Sequence, residues 1–580
     1  MIYFFLPSLL IISQLWHDVR GQPEVRPAIR VRLNRPVFDQ ASQIVAGLVE
    51  YEVPRVSIPR TRQCFTEGCV EAHSFRMTSF RQPSSVAFEP ALPNKFRIRV
   101  TDFDFMVMGQ LSGSVQVIIN IPVMGNVIIT GRQISVSALM DLQKTVDDQP
   151  YLRFVECRID DGIVEAKLAN MGLLTDTINN KYRPAMSLQS RMQLEEAICE
   201  NMNRLTQLHF STRLARIPRS ISAKEILDIV ISNNLEPAPP LHPTPVLLNG
   251  NNLAYRRRTA RKRLHKRAAS DDYYDDIEKT EGPSPSKSAT PNTSRQKITL
   301  TRNDVNNFFN LDRLAHVMVD TTLMDAASTS HDFSLGIAGN AFSTRSHGVS
   351  PYSVPHPFRL PHNEKRKMVE VVVSEYTINS LFYQAHRTNS LLFHVDSKTP
   401  GVGGLLKTTC TADEVCISDE VDRIGKVHPN RRLELIIRTT QPPKIALSSD
   451  TLTLSLAGRC IFFLEGTRQK VGVIPFTAVV NMRIHMVEPK LKVDVKIQSL
   501  EFANGIDFLG LNADDLDGLR KTTKKALETM INGATNDGFQ LSTANLKTPI
   551  RLSSPHISVL PGSILLQADV DLYKTLYAKN

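Results

Sequence analysis

The chain has 580 residues, 42% of them hydrophobic and 22% charged, with a formal net charge of +11 and seven cysteines. That length holds more than one domain, and the ordinary balance of apolar and charged residues excludes a wholly disordered or fibrous chain. The positive excess does not call for a nucleic-acid partner, because a dense basic block, Arg256–Arg267, is followed at once by the acidic run Asp271–Asp276.

The first residues, Met1 to Ser13, form an apolar run of signal-peptide length, with a cut expected near Gly21-Gln22. Spanning a bilayer takes about 18 or more uninterrupted apolar residues, which this run lacks. A secreted, extracellular protein is expected; the alternative for the run is a buried first strand. Pro36 then opens a helix that places Val37, Ala41, Ile44, Val45 and Leu48 on one face. Strands follow. Phe96, Ile98 and Val100 alternate with Arg97, Arg99 and Thr101, and a turn is expected at Ser112-Gly113. Val115, Val117, Ile128, Ile134 and Val136 continue the strand pattern, and Tyr151 to Ile159 forms another strand. A second long helix is expected from near Ala166, carrying Met171, Leu174 and Ile178. Pro184 should interrupt it before Leu188, Met192, Cys199 and Met202 resume its apolar side.

Residues 233–297 have the composition of a disordered insert: a proline cluster, opposing charge blocks and a Pro/Ser-rich run holding the glycosylation sequon Asn292-Thr-Ser294. Dibasic pairs at Lys262-Arg263 and Lys266-Arg267 make this insert either a processing site or a plain solvated tether. Beyond it the helix-on-sheet order returns. Tyr376 to His386 is a short helix carrying Ile378, Leu381, Phe382 and Ala385. Strands run through Leu433–Ile437, Leu452–Leu456, Met482–Met486 and Leu491–Ile497. A late helix, Asp514 to Ile531, carries Leu516, Leu519, Leu527 and Met530, and a closing strand covers Ile564 to Leu572.

The cysteines group as Cys64 with Cys69, Cys157 with Cys199, and Cys410 with Cys416, which suits an oxidising compartment. A bond between Cys157 and Cys199 would staple the second long helix to a strand. Cys460 is read as a buried free thiol, with an intermolecular bridge as the alternative. No Cys-x-x-Cys or spaced histidine pair supports a metal site. There is no Gly-x-Ser-x-Gly elbow, His-Glu-x-x-His or phosphate-cradling glycine loop, so neither an enzyme nor a cofactor is expected.

Taken in order, these features resemble the bactericidal/permeability-increasing, lipopolysaccharide-binding and plasma lipid transfer protein family. The resemblance lies in the helix from Pro36 to Glu50 followed by Val56-Ser-Ile-Pro59, in Gln82-Pro-Ser-Ser85 before a strand, and in the Cys157/Cys199 pair. It continues in Lys367-Met-Val-Glu-Val-Val-Val-Ser-Glu375 before a short helix, and in Gly538-Phe-Gln-Leu541 with Leu565-Leu-Gln-Ala-Asp569-Val570. The resemblance implies a strand-rich α+β fold, an elongated pseudo-symmetric boomerang of two helix-wrapped antiparallel β-barrels joined by a central β-sheet. Its parts would be a signal peptide (1–21), an N-terminal lipid-binding barrel (22–232), the insert (233–297) and a C-terminal lipid-binding barrel with central-sheet strands (298–580).

It also implies a Cys157–Cys199 disulfide and one apolar lipid pocket per barrel, lined by Ile44, Leu48, Leu174 and Ile178 in the first and by Ile378, Phe382, Leu527 and Met530 in the second. The bland reading of the same stripes is plain core. The implied function is to sequester phospholipid acyl chains and to meet membrane or lipoprotein surfaces transiently, with phospholipid as ligand. The alternative is capture of bacterial lipopolysaccharide in innate immunity. The family's basic tip hairpin corresponds here to Met106–Gln116, which has no basic residue; Arg60, Arg62, Lys95, Arg97 and Arg99 are the nearest substitutes. A third reading is an interaction protein with dry cores that docks through its basic block.

Overall fold

Pro36 stands where a helix tolerates proline best, in a first turn whose N–H groups have no intrahelical acceptor. The computed structural model describes residues 26–231 and 311–577, apart from 57, 66–67, 117–119, 173, 346–347, 354–359, 362–366, 400–401, 468, 488–489, 504–510, 537 and 541–551. In it β1 (Ile29–Leu33) leads through Asn34 into α1 (Arg35–Glu52). Val37, Phe38, Ala41, Ile44, Val45 and Leu48 are all buried on that helix, as their spacing predicts. The signal segment 1–21, the insert 233–297 and Asn292 lie outside the described residues.

The first lobe is one curled antiparallel sheet. Its strands are β2 (Thr61–Phe65), β3 (Gly68–Arg81), β4 (Ser85–Ala91), β5 (Lys95–Gln116), β6 (Asn120–Lys144) and β7 (Pro150–Ala169). Their order is β2-β3-β5-β6-β7, with β4 on the inner end of β5. Strands of 20 to 25 residues have to bend if they are to curl round a helix, and bulges let them. The register slips between Val100 and Phe103 on β5 and between Arg132 and Ser135 on β6, where Gln133 takes a positive φ of 52°. Next to that slip, Gly162 of β7 has φ 109°, which a side chain rarely adopts.

Two strand expectations are corrected here. The sequence pattern placed Ile128 in phase with Ile134 and Val136, but Val127 and Ile129 are the buried pair, because the bulge at Gln133 flips the alternation. No turn occurs at Ser112-Gly113: β5 runs straight through, and Gly113 is there for close approach. A Cβ on it would come within 2.4 Å of the Cys69 carbonyl oxygen.

The second helix, α2 (Leu174–Thr206), starts later than its pattern suggested, because β7 holds the chain as far as Ala169. Pro184 does not interrupt it. The carbonyl that proline orphans belongs to Asn180, which is exposed to solvent. Leu174, Ile178, Tyr182, Leu194, Ile198 and Met202 pack against the sheet. Leu188 and Met192 were expected on that side and are 63% and 60% exposed. Each sits two residues off the packed row, which carries it about 200° round the helix.

After the short β8 (Ser220–Ser222), helix α3 (Ala223–Ile231) and β9 (Val317–Asp320), the chain enters the central sheet. Here lie β10 (Leu323–Ser328), β11 (Phe333–Ile337) and, beyond β12 (Ala341–Ser343), β13 (Val369–Ser374). The sheet order is β10-β11-β1-β13, completed by two C-terminal strands described below. β1 and β13 pair antiparallel at its middle, Ile29 opposite Val373 and Leu33 opposite Val369. Each of the two leads directly into a helix, β1 into α1 and β13 into α4 (Glu375–Arg387). The repeat of architecture read from the sequence is thus a pseudo-two-fold about this pair. Glu370, wholly buried in the sheet, is matched by Arg32 and by the Gln567 amide at 2.7 Å.

The second lobe is built from β14 (Leu392–Val395), β15 (Leu433–Thr439), β16 (Lys444–Ser448), β17 (Thr451–Leu464), β18 (Lys470–Val487) and β19 (Lys490–Phe502). Helix α5 (Ala513–Thr535) covers β19, and β20 (Phe539–Gln540) touches only the start of that strand. Last come β21 (Leu552–Leu560) and β22 (Ser563–Val570), which complete the central sheet beside β13. The molecule is therefore strand-rich α+β, two helix-packed antiparallel sheets joined by a central one. No described helix is long and apolar enough to cross a membrane.

Open sheet edges leave backbone groups without partners. Each lobe satisfies them with helix side chains. On β7, the Asn179 side chain accepts from the Leu168 N–H and donates to its carbonyl, both at 2.9 Å; Glu195 accepts from the Ile159 N–H at 2.8 Å. On β19, Asn532 grips both backbone groups of Val495 at 2.8 Å, and Glu528 accepts from the Ile497 N–H at 2.7 Å. Asn379 of α4 does the same for Ile445 on β16, at 2.7 and 2.9 Å. The α4 stripe was expected to be apolar; Asn379, Ser380 and Gln384 are nonetheless buried, because this helix is enclosed on several sides.

Candidate functional site

Between α2 and the distal part of the first sheet lies a partly open cavity of about 190 Å³. One water needs only about 10–15 Å³, so this is room for a ligand rather than for a single solvent molecule. The wall is apolar because each strand alternates and turns its inner residues here: Val70 and Ala72 from β3, Leu111 from β5, Val127 and Ile129 from β6, Ala166 and Leu168 from β7. Helix α2 adds Leu174 and Ile178, and Met171 closes the loop before it. Thr177 and Lys181, one turn apart on α2, are the exposed members of the wall and mark its mouth.

The inner end of the lobe is filled. Phe88 and Phe96 stack at 5.5 Å, Phe96 and Phe333 at 4.1 Å, and Phe38 and Phe210 each lie within 6.3 Å of Phe88. Phe103, Phe105, Ile134 and Val136 are buried between this stack and the cavity.

Of the residues expected to line pockets, Leu174 and Ile178 stand in the cavity wall. Ile44 and Leu48 are buried on α1, away from that wall. In the second lobe Ile378 and Phe382 pack into one apolar cluster with Ile445 and Leu452, whereas Leu527 packs into another with Ala478 and Ile497; Met530 is half-buried on α5. The structure does not bring these four together. Sequence reasoning missed the sheet half of the cavity, although the pairs Val70/Ala72, Val127/Ile129 and Ala166/Leu168 carry a period of two. It also missed Lys181, which nothing in its local pattern sets apart.

The three cysteine pairs are bonded: Cys64–Cys69, Cys157–Cys199 and Cys410–Cys416. Cys157–Cys199 ties α2 to β7 across 42 residues. Cys460 is free, and burial pushes its thiol up to about 12. Cys410, Cys416 and Asp419 lie close together, but both sulfurs are committed to their disulfide, so the trio is no metal site.

The arginines do not form one basic face. Arg60 pairs with Glu71, and Arg97 and Arg99 flank Glu89. Arg62 lies on β2 opposite Glu71, whereas Arg97 is on the inner part of β5, about 50 Å away along 15 residues of strand. Arg81 binds both Asp102 and Asp104, and its hydrogen bond, followed by the Gln133 N–H, lowers the Asp104 carboxyl to about 2.

Residues 312–572 match the LBP / BPI / CETP family, C-terminal domain. No curated protein matches the chain. Among solved structures, it is similar to lipopolysaccharide binding protein at 15% identity and a TM-score of 0.42, over 94% of this chain and 99% of that one. Takeout 1 of Epiphyas postvittana aligns at 13% identity and a TM-score of 0.22, over 32% and 91%. P47 of Clostridium botulinum E1 aligns at 7% and 0.24, over 94% and 100%. The family resemblance read from the sequence is thus supported over residues 312–572, which carry the LBP / BPI / CETP C-terminal domain.

Proposed function

We propose that this protein is a secreted lipid carrier that shields hydrocarbon in the cavity between α2 and the first sheet. The observation that carries the reading is the cavity itself, apolar on its helix and sheet walls and open on one side. Each methylene moved from water into such a wall gains roughly 0.8 kcal/mol, so an acyl chain binds without any specific side-chain chemistry. Release needs only a second apolar surface. Binding rather than catalysis is the activity, and three disulfides support a life outside the reducing cytosol.

Carriage of lipid is favoured over capture of lipopolysaccharide by the state of the arginines. Capture of a multiply charged phosphate head would need uncompensated cations gathered at one end. Those near the first lobe are spread along β5 and β2, and several are matched by carboxylates. The test is organic extraction of the purified secreted protein with mass spectrometry of the extract, beside transfer of labelled phosphatidylcholine between vesicles. Stoichiometric lipid and accelerated transfer are expected. A lipid-free protein that moves nothing would refute the carrier reading.

A further inference from the structure

We propose that the outer face of β18 and β19, in the second lobe, docks the protein on a bilayer surface bearing anionic phospholipid. The two strands pair with Asn481 opposite Lys496, Arg483 opposite Asp494, His485 opposite Lys492 and Val487 opposite Lys490. Opposed residues of an antiparallel pair share a face, as do alternate residues of one strand. The intervening Leu491, Val495 and Ile497 are buried in the lobe, so the paired set points outward. Asp494 is the one anion in that set, and it lies 3.6 Å from His485 Nδ1. Arg483, Lys490, Lys492 and Lys496 have no ion-pair or hydrogen-bond partner among the described residues. Glu488, between the two strands in sequence, still leaves a positive excess. In the first lobe, by contrast, arginines face Glu71, Glu89, Asp102 and Asp104.

The chemistry of the face selects the partner. Residues two apart on a strand are about 7 Å apart, and neighbouring strands about 5 Å. Both spacings fall below the screening length of about 10 Å at 0.1 M salt, so the cations act together on a facing surface. Lys490, Lys492 and Lys496 are compact charges suited to a diffuse layer of phosphates, whereas arginine is the residue for a bidentate grip on one phosphate or sulfate. Val487, 48% exposed opposite Lys490, adds an apolar contact that a bilayer interface accepts and a polysaccharide does not use. Beneath the lysines Leu491, Val495 and Ile497 are core, so this face meets a surface of lipids rather than enclosing one. The docking face is distinct from the cavity of the first lobe.

The experiment is flotation of the full-length disulfide-bonded protein with phosphatidylcholine vesicles, with and without phosphatidylglycerol. Binding is expected to the anionic vesicles alone and should weaken as salt is raised. Each cation near such a surface is worth about fivefold in affinity, so Lys490→Gln, Lys492→Gln and Lys496→Gln together should cost about a hundredfold. Asp494→Asn should tighten binding about fivefold, a gain that a damaged fold does not produce. Lysine acetylation, mapped by peptide mass spectrometry, should show Lys490, Lys492 and Lys496 protected by the anionic vesicles. The basic block Arg256–Arg267 stays intact in every variant. Vesicle binding that survives the triple substitution, or protection confined to that block, overturns the inference. So does equal binding to neutral vesicles, or salt-sensitive binding to heparin with none to anionic vesicles. Extracted lipid is measured in parallel and should be the same in all variants, so that this inference and the carrier reading fail separately.

Discussion

In the first lobe Glu195 meets the Ile159 N–H; four residues further along the helix and two back along the strand, Cys199 is bonded to Cys157. In the second lobe Glu528 meets the Ile497 N–H; at the same offsets, Asn532 grips Val495. The two helices thus close their sheets in one register. One uses a covalent bond where the other uses a pair of amide hydrogen bonds. Among the described residues, the first lobe leaves a cavity between helix and sheet, and the apolar residues of the second fall into separate clusters. The covalent clamp lies in the lobe with the described cavity, where a void forgoes contacts that would otherwise hold the helix down.

That contrast can be broken at either end. Replacing both Cys157 and Cys199 by serine is expected to have the largest effect, about 4 kcal/mol for a closed loop of this length, seen as a lower midpoint in guanidinium unfolding. Installing the second lobe's pair in the first, Cys157→Val with Cys199→Asn, should recover part of that loss; no recovery would mean that the shared register is coincidental. Asn532→Ala should cost about 2–3 kcal/mol by stranding the N–H and carbonyl of Val495. Ile178→Trp, which fills the cavity, should remove bound lipid with a change in stability of about 1 kcal/mol or less.

A smaller effect concerns pH. Burial, and then nearby Arg213 or Arg438, holds His209 and His386 below their ordinary 6.5. The unfolded chain therefore binds protons that the folded chain refuses, and stability should decline as pH falls through 6.5. His386→Gln, which keeps a partner for Thr439 Oγ1, should flatten that decline. Least of all, alkylation of Cys460 at pH 8 should be undetectable in the folded protein and rapid in denaturant, since its thiol is pushed up to about 12.

Much of this frame was legible in the sequence, because helix stripes and strand alternation are local. The α1 face and the second-lobe strands through Leu433–Ile437, Leu452–Leu456, Met482–Met486 and Leu491–Ile497 follow from spacing, whereas the Cys157–Cys199 bond was implied by the family resemblance. What escaped depends on contacts distant in the chain. Gly113 reads as a turn until Cys69 is seen against it, and Pro184 reads as a break until Asn180 is seen in solvent. Asparagine within a helix is a weak helix former that prefers to bond backbone, so Asn179, Asn379 and Asn532 carried a signal that only the strand edges explain. The pocket residues were half legible. The α2 stripe supplied Leu174 and Ile178, but the same stripe logic chose Ile44, Leu48, Leu527 and Met530, since core and cavity wall share one periodicity.

The central claim is that hydrocarbon resides in the first lobe, against α2. A fatty acid carrying a diazirine on its chain, bound to the full-length protein, irradiated and mapped by peptide mass spectrometry, tests it directly. Labels within 166–193 and on the strand segment 68–75 are expected, displaced by excess oleate and lost in Ile178→Trp. Labels confined to residues 375–535, or spread evenly over both lobes and indifferent to oleate, would contradict it.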